Sequence, residues 1–285
     1  MNVSRRGLLI GAGGGISVLA GIAAGVEHDV LPGRIEAYEY LGLNGASGKV
    51  PEVAGAPVEH GRIGDAKWWI ARPKGVTGVL PLVLALHGVS YEAAKFLGPD
   101  FGLDRFLAAS GQQFAIAAID GGNAYWHPRA DGRNPLALVL DQFLPLLGRE
   151  GLEIDRPGLL GWSMGGYGAL LVASELDAAV PVVAVSPAVW TSWDEERSGP
   201  TGPFDDEADY ERWGIFNRID KLRDDIIRID CGRGDAFFHQ VGTLTDELPD
   251  AEVHIEAGGH NTAYWTRVLP DQLEWLGRHL ATHPN

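Results

Sequence analysis

The sequence predicts an α/β fold, with a mostly parallel central sheet and helices on both faces. Three observations carry that expectation. Short, nearly continuous apolar runs recur at 81–86, 114–119 and 180–185, and such runs suit strands covered on both faces. Helical patterns alternate with them, which calls for parallel pairing through right-handed crossovers. Chemistry-bearing motifs follow several of the runs, where open parallel sheets place their ligand sites.

The chain opens with Ser4-Arg5-Arg6-Gly7-Leu8-Leu9, and residues 7–26 carry no charge. A twin arginine ahead of an apolar stretch resembles a Tat export signal. A stretch of about twenty uncharged residues could also remain as a membrane anchor. Gly11-Ala12-Gly13-Gly14-Gly15 imitates a dinucleotide loop, but Ile16 stands where the last glycine is needed and no strand precedes it. Residues 27–66 read as a linker with one short strand, and 67–285 as the catalytic domain.

Within that domain, 68–71 reads as an early strand. The run 81–86 ends at His87-Gly88, and 92–110 reads as a helix interrupted at Gly98-Pro99. After strand 114–119, Asn134 caps a helix with Pro135 in its first turn, reaching Arg149. Leu159-Leu160 marks a short strand, 163–176 a helix and 180–185 a strand. Residues 191–214 are polar, acidic and rich in Gly and Pro, and are expected to form an irregular insertion. Strand 226–231, helix 237–248, strand 252–256 and helix 270–280 complete the body.

Composition sets limits. With 285 residues, 45% of them hydrophobic and 21% charged, the chain can bury a sizeable core. A net charge of −15 argues against phosphate-rich partners such as nucleic acid. Cys231 is the single cysteine, so no internal disulfide is possible. It ends an apolar run and reads as a small core residue. No structural metal spacing and no GxxxxGK[ST] loop occurs, so neither metal nor cofactor is expected.

Gly161-Trp162-Ser163-Met164-Gly165 fits G-x-S-x-G between a strand and a small-residue helix. That spacing lifts a serine hydroxyl above a sheet on a sharp turn, with a helix N-terminus aimed at any developing anion. A serine needs a base, and the base an orienting acid. In the α/β-hydrolase fold, which builds such an elbow, they follow in the order acid, then histidine. Asp235 lies past the end of strand 226–231, and His260 past the end of strand 252–256. Asp205, Asp206 and Asp209 are the rival acids. The Met164 N–H and that of Val89 or Gly88 are the expected oxyanion donors. His87 is expected to hold its loop rather than react. Trp162, Asn123, Tyr125, Trp126 and Trp190 are candidates for the substrate wall; Tyr125 and Trp126 could equally serve to pin their loop.

These motifs resemble the esterase family of α/β hydrolases that includes esterase D and the mycobacterial mycolyltransferases. The likeness spans about 82–280 and rests on Leu86-His87-Gly88, on Gly161 to Leu170, on Asp235 and on Gly259-His260 with Tyr264-Trp265. It implies Ser163, Asp235 and His260 as nucleophile, acid and base. Two departures count: Trp162 stands where esterase D usually has His, and an Asp stands where the mycolyltransferases use Glu. Neither substrate therefore carries over. The expected function is an exported serine carboxylesterase acting on a small-molecule or lipid ester. Acyl transfer to a cell-envelope sugar or alcohol, and a non-catalytic binding module, are the alternatives.

Overall fold

Eight strands form one sheet in the order β1-β2-β4-β3-β5-β6-β7-β8. The computed structural model describes residues 33–197 and 202–281; the signal-like segment 1–26 lies outside them. The strands are β1 Val58–Ile63, β2 Ala66–Ala71, β3 Leu80–Leu86, β4 Ala115–Ile119, β5 Leu152–Trp162, β6 Pro181–Val185, β7 Ile226–Gly234 and β8 Glu252–Gly259. Pairing from β4 through β8 is parallel, while β2 runs antiparallel to both β1 and β4. The sheet is thus mixed at one edge and parallel elsewhere, the α/β-hydrolase arrangement.

The apolar runs are continuous because both faces are covered. In β3, Leu82, Leu84 and Leu86 enter one core cluster, and Val83 and Ala85 enter the other. The first cluster also takes side chains from Met164–Ala173, which is wholly buried. The second is closed by helices Leu103–Ser110 and Thr262–Ala281. Numbered in chain order, the helices are α1 Arg34–Tyr40, α2 Leu103–Ser110, α3 (Pro135–Ala137, π-helical Leu138–Phe143 and Leu144–Arg149), α4 Met164–Ala173, α5 Trp193–Arg197, α6 Glu207–Trp213, α7 Phe238–Glu247 and α8 Thr262–Ala281. Asn134 caps α3 as expected, its Oδ1 accepting from Ala137 N at 3.0 Å. Among the described residues no helix is long and apolar enough to cross a membrane.

Three expectations need correction. The described part of 27–66 holds α1 and β1, and buries Arg34 and Tyr38. The insertion 191–214 contains two short helices, α5 and α6, the latter capped by Asp206 through Asp209 N at 2.9 Å. The last helix begins at Thr262, eight residues before Pro270. Asn261 Oδ1 accepts from Tyr264 N at 3.1 Å and starts the helix there. Apolar side chains at Trp265, Val268, Leu269, Leu273 and Leu276 then carry it across the proline.

One half-buried acid makes stability depend on pH. Asp225 accepts from Val180 N at 2.8 Å where β6 and β7 begin. Burial, reinforced by Asp224, pushes its carboxyl from 3.8 up to about 6. The native state then holds a proton that the unfolded chain has released. Stability falls as pH rises through that interval and levels off above it. Asp225→Asn keeps the acceptor oxygen and removes the charge. Thermal melts should show the variant gaining on the parent from about pH 4 to about pH 6, then holding a constant lead. Parallel curves at every pH would refute the assignment.

Candidate active site

Ser163 stands between β5 and α4 with φ 58° and ψ −120°. Such a backbone is costly for a residue with a Cβ, about 1–3 kcal/mol, and persists only where neighbours enforce it. The enforcement is visible. Ser163 N donates to Val185 O at 3.0 Å, and Ser163 O accepts from Gly166, Tyr167 and Ala188 N. Two glycines admit the turn: a Cβ on Gly161 would strike Gly165 O, and one on Gly165 would strike Leu86 O.

Three polar side chains from separate strand ends meet here. His260 Nε2 lies 2.8 Å from Ser163 Oγ. His260 Nδ1 lies 3.0 and 2.9 Å from the Asp235 carboxylate oxygens. Asp235 is wholly buried, and its Oδ1 also accepts from Phe237 N at 2.8 Å. A carboxylate facing Nδ1 keeps the proton on that nitrogen. Nε2 is then free to accept the serine proton. His260 itself is bracketed by Trp265 and Phe237, with ring centroids at 5.2 and 5.5 Å.

The rival groups are engaged elsewhere. Asp205 binds Arg129 and Ala130 N, and Asp206 caps α6. Asp209 accepts from Asp205 N and lies 3.7 Å from His127. Asp230 pairs with Arg228 through two contacts of 2.8 Å. His254 faces Glu252 at 2.7 Å. Cys231 is buried, and burial drives its thiol far above the usual range, away from thiolate chemistry.

The loop after β3 passes over the serine. A Cβ on Gly88 would stand 3.3 Å from Ser163 Cβ and 3.8 Å from its Oγ. His87 fixes the loop. Its Nε2 accepts from Gly121 N at 2.9 Å, which leaves the proton on Nδ1 to donate to Gly88 O at 2.9 Å. Burial holds this imidazole below its ordinary pKa, in keeping with that neutral tautomer. Asn123 Oδ1 accepts from Ser90 N at 2.8 Å and ties the next loop to this one. Met164 opens α4, where the first N–H groups have no partner within the helix.

A cavity of about 230 Å³ opens beside Ser163 and His260. Its walls are Val89, Tyr91, Phe96, Phe101, Trp162 and Trp265. Phe96 and Phe101 stand 4.9 and 4.8 Å from the Trp162 ring. Of the expected wall residues, Trp162 lines this cavity. Trp126 does not: it is wholly buried, packs on His87 at 5.0 Å and donates to His87 O at 3.2 Å. Tyr125 and Trp190 pair at 5.7 Å in a neighbouring aromatic group that reaches His260 through Phe237. Burial pushes the Tyr125 hydroxyl up to about 12, so it stays protonated. Asn123 serves the loop rather than the cavity wall. Sequence reasoning missed Tyr91, Phe96 and Phe101. The apolar face of the segment after His87 was their only signal. Among the described residues no group of three His, Cys, Asp or Glu is placed to hold a metal ion.

Sheet order, turn and cavity place the molecule among α/β-hydrolase folds, and comparison with solved structures agrees. S-formylglutathione hydrolase from Agrobacterium tumefaciens superposes with a TM-score of 0.65 at 16% identity, over 79% of this chain and 95% of that one. A ferulic acid esterase matches with a TM-score of 0.63 at 19% identity, over 79% and 99%. A fluorophosphonate-binding serine hydrolase of Staphylococcus aureus matches at 0.62 and 17%, over 79% and 99%. No curated protein sequence matches the chain. The family model described as "Putative esterase" matches residues 72–276, and the chain belongs to that family.

Proposed function

We propose that the protein is a serine carboxylesterase working through a Ser163 acyl-enzyme. The observation that carries this reading is the unbroken relay from Ser163 Oγ through His260 to buried Asp235. In the forward step His260 Nε2 takes the hydroxyl proton as Oγ attacks the ester carbonyl carbon. The oxyanion faces the N–H groups of Met164 and of Gly88 or Val89, a stabilisation of about 2.7–4 kcal/mol per well-placed donor. His260 then gives the proton to the departing alcohol oxygen, leaving the acyl group on Ser163. Water, deprotonated by the same imidazole, releases the acid and restores the serine.

The aromatic cavity fits the apolar part of the substrate. A dry apolar cavity of ~150 Å³ holds benzene. At about 230 Å³ this one accommodates a compact group of roughly six to nine carbons. Export by the twin-arginine route is part of the same reading and rests on Arg5, Arg6 and the uncharged run after them.

The test is chemical. A fluorophosphonate probe should label the purified protein on the peptide containing Ser163. Nitrophenyl esters of graded acyl length should give rates that peak within that size range and fall beyond it. Phe101→Ala, which deepens the cavity, should move the peak to longer chains. A protein that resists the probe and cleaves no ester in the series is not a serine esterase.

A further inference from the structure

The loops bearing Asp235 and His260 are gripped by a segment that precedes the family-matched region 72–276. Arg34, in α1, is 6% exposed. Its guanidinium donates through Nη1 to Arg233 O and through Nη2 to Asp235 O, the latter at 2.9 Å. The same group lies 4.7 Å from the Phe238 ring centroid, at the start of α7. One planar cation thus spans the whole turn from the end of β7 into α7, with the Asp235 carboxylate at its centre.

The chain beyond α1 grips the His260 side. Asn44 lies against the ends of both β7 and β8: a Cβ on Gly234 would strike its Oδ1, and one on Gly259 would come within 3.3 Å of its Nδ2. Arg267, on α8, donates through Nη1 to Asn44 O at 3.1 Å and to Ala46 O at 2.6 Å, and through Nη2 to Ala257 O. Gly48 N donates to Ala263 O at 2.7 Å, within the first turn of α8. Residues 34–48 therefore touch the β7 end, the β8 end and the start of α8. Those three elements set the distance between Asp235 and His260.

We propose that residues 34–48 form a positioning strap for the acid–base pair, with Arg34 as its principal positioning residue. The inference rests on the esterase reading above. Arg34 touches no reacting atom. It acts by fixing the backbone carbonyl of Asp235, and hence where the carboxylate meets His260 Nδ1. Guanidinium suits the task because two forked donors hold two carbonyls in one plane, which an ammonium cannot do.

The experiment compares the full-length protein with Arg34→Ala and Arg34→Lys. Active sites are titrated with a fluorophosphonate, so that kcat is expressed per labelled serine. Arg34→Ala should lower kcat per site by up to about 10²-fold, the scale of a misplacement transmitted to the chemistry. KM should stay within about twofold, since substrate binding is untouched. Arg34→Lys, which keeps the charge but presents its donors from a single nitrogen, should recover part of the loss. An Arg34→Ala protein with fewer titratable sites but parental kcat at each would show a merely structural role and overturn the proposal. So would equal kcat for Ala and Lys variants. If the parent protein itself takes no label and cleaves no ester, the esterase reading fails instead, and the two failures are told apart.

Discussion

Ser163→Ala should lower kcat for ester hydrolysis by about 10⁴- to 10⁶-fold while the protein still folds. The argument has two parts. Chemically, the change removes the hydroxyl oxygen that lies 2.8 Å from His260 Nε2 and would attack the carbonyl. What remains is attack by water, helped by the oxyanion donors and by binding, worth about 10³- to 10⁴-fold over the uncatalysed rate. Structurally, the turn does not depend on the hydroxyl. Its backbone bonds to Val185, Gly166, Tyr167 and Ala188 survive the substitution. Alanine meets the same backbone strain as serine at φ 58°. The melting temperature should therefore stay close to the parental one. The measurement pairs steady-state hydrolysis with a thermal melt and with fluorophosphonate labelling. Parental turnover in the variant would remove Ser163 from the mechanism.

That the serine could be read from sequence, and its pocket could not, has a physical cause. G-x-S-x-G is a local constraint: turn, clearance and serine all lie within five residues. The strands β3, β4 and β6 were equally legible, because burial on both faces leaves no polar position to interrupt them. Asp235 and His260 followed from their places at strand ends. The cavity wall depends instead on which way Phe96 and Phe101 point from a short 3₁₀ turn and the residues after it. Their meeting with Trp162 joins positions more than sixty residues apart. No local period encodes such a contact. Trp126 stays undecided between wall and loop pin in the sequence for the same reason: the structure, with a positive φ of 58° there, packs the indole inward on His87, the pinning alternative. Helix α1 left no signal because it has only seven residues and is anchored chiefly by Arg34 on backbone carbonyls, a contact that any sequence at 233 and 235 could offer.

Asp235→Asn should lower kcat by on the order of 10⁴-fold with KM little changed. The direction follows from a neighbour that is easily overlooked. Phe237 N–H donates to Asp235 Oδ1 at 2.8 Å, and an asparagine would keep its carbonyl oxygen on that donor. The amide NH₂ would then occupy the place of Oδ2, which lies 2.9 Å from His260 Nδ1. An NH₂ cannot accept a hydrogen bond, and Oδ1, 3.0 Å from Nδ1, is shared with Phe237 N, so the ring proton would shift toward Nε2. That nitrogen faces Ser163 Oγ and could no longer take its proton. The variant keeps the Phe237 N contact and the shape of the side chain while weakening proton acceptance at Nε2, so its fold and substrate binding should survive. Asp206→Asn provides the control, because an asparagine still caps α6 and its kcat should match the parent. Comparable turnover in Asp235→Asn and the control would mean that the carboxylate does not set the tautomer of His260.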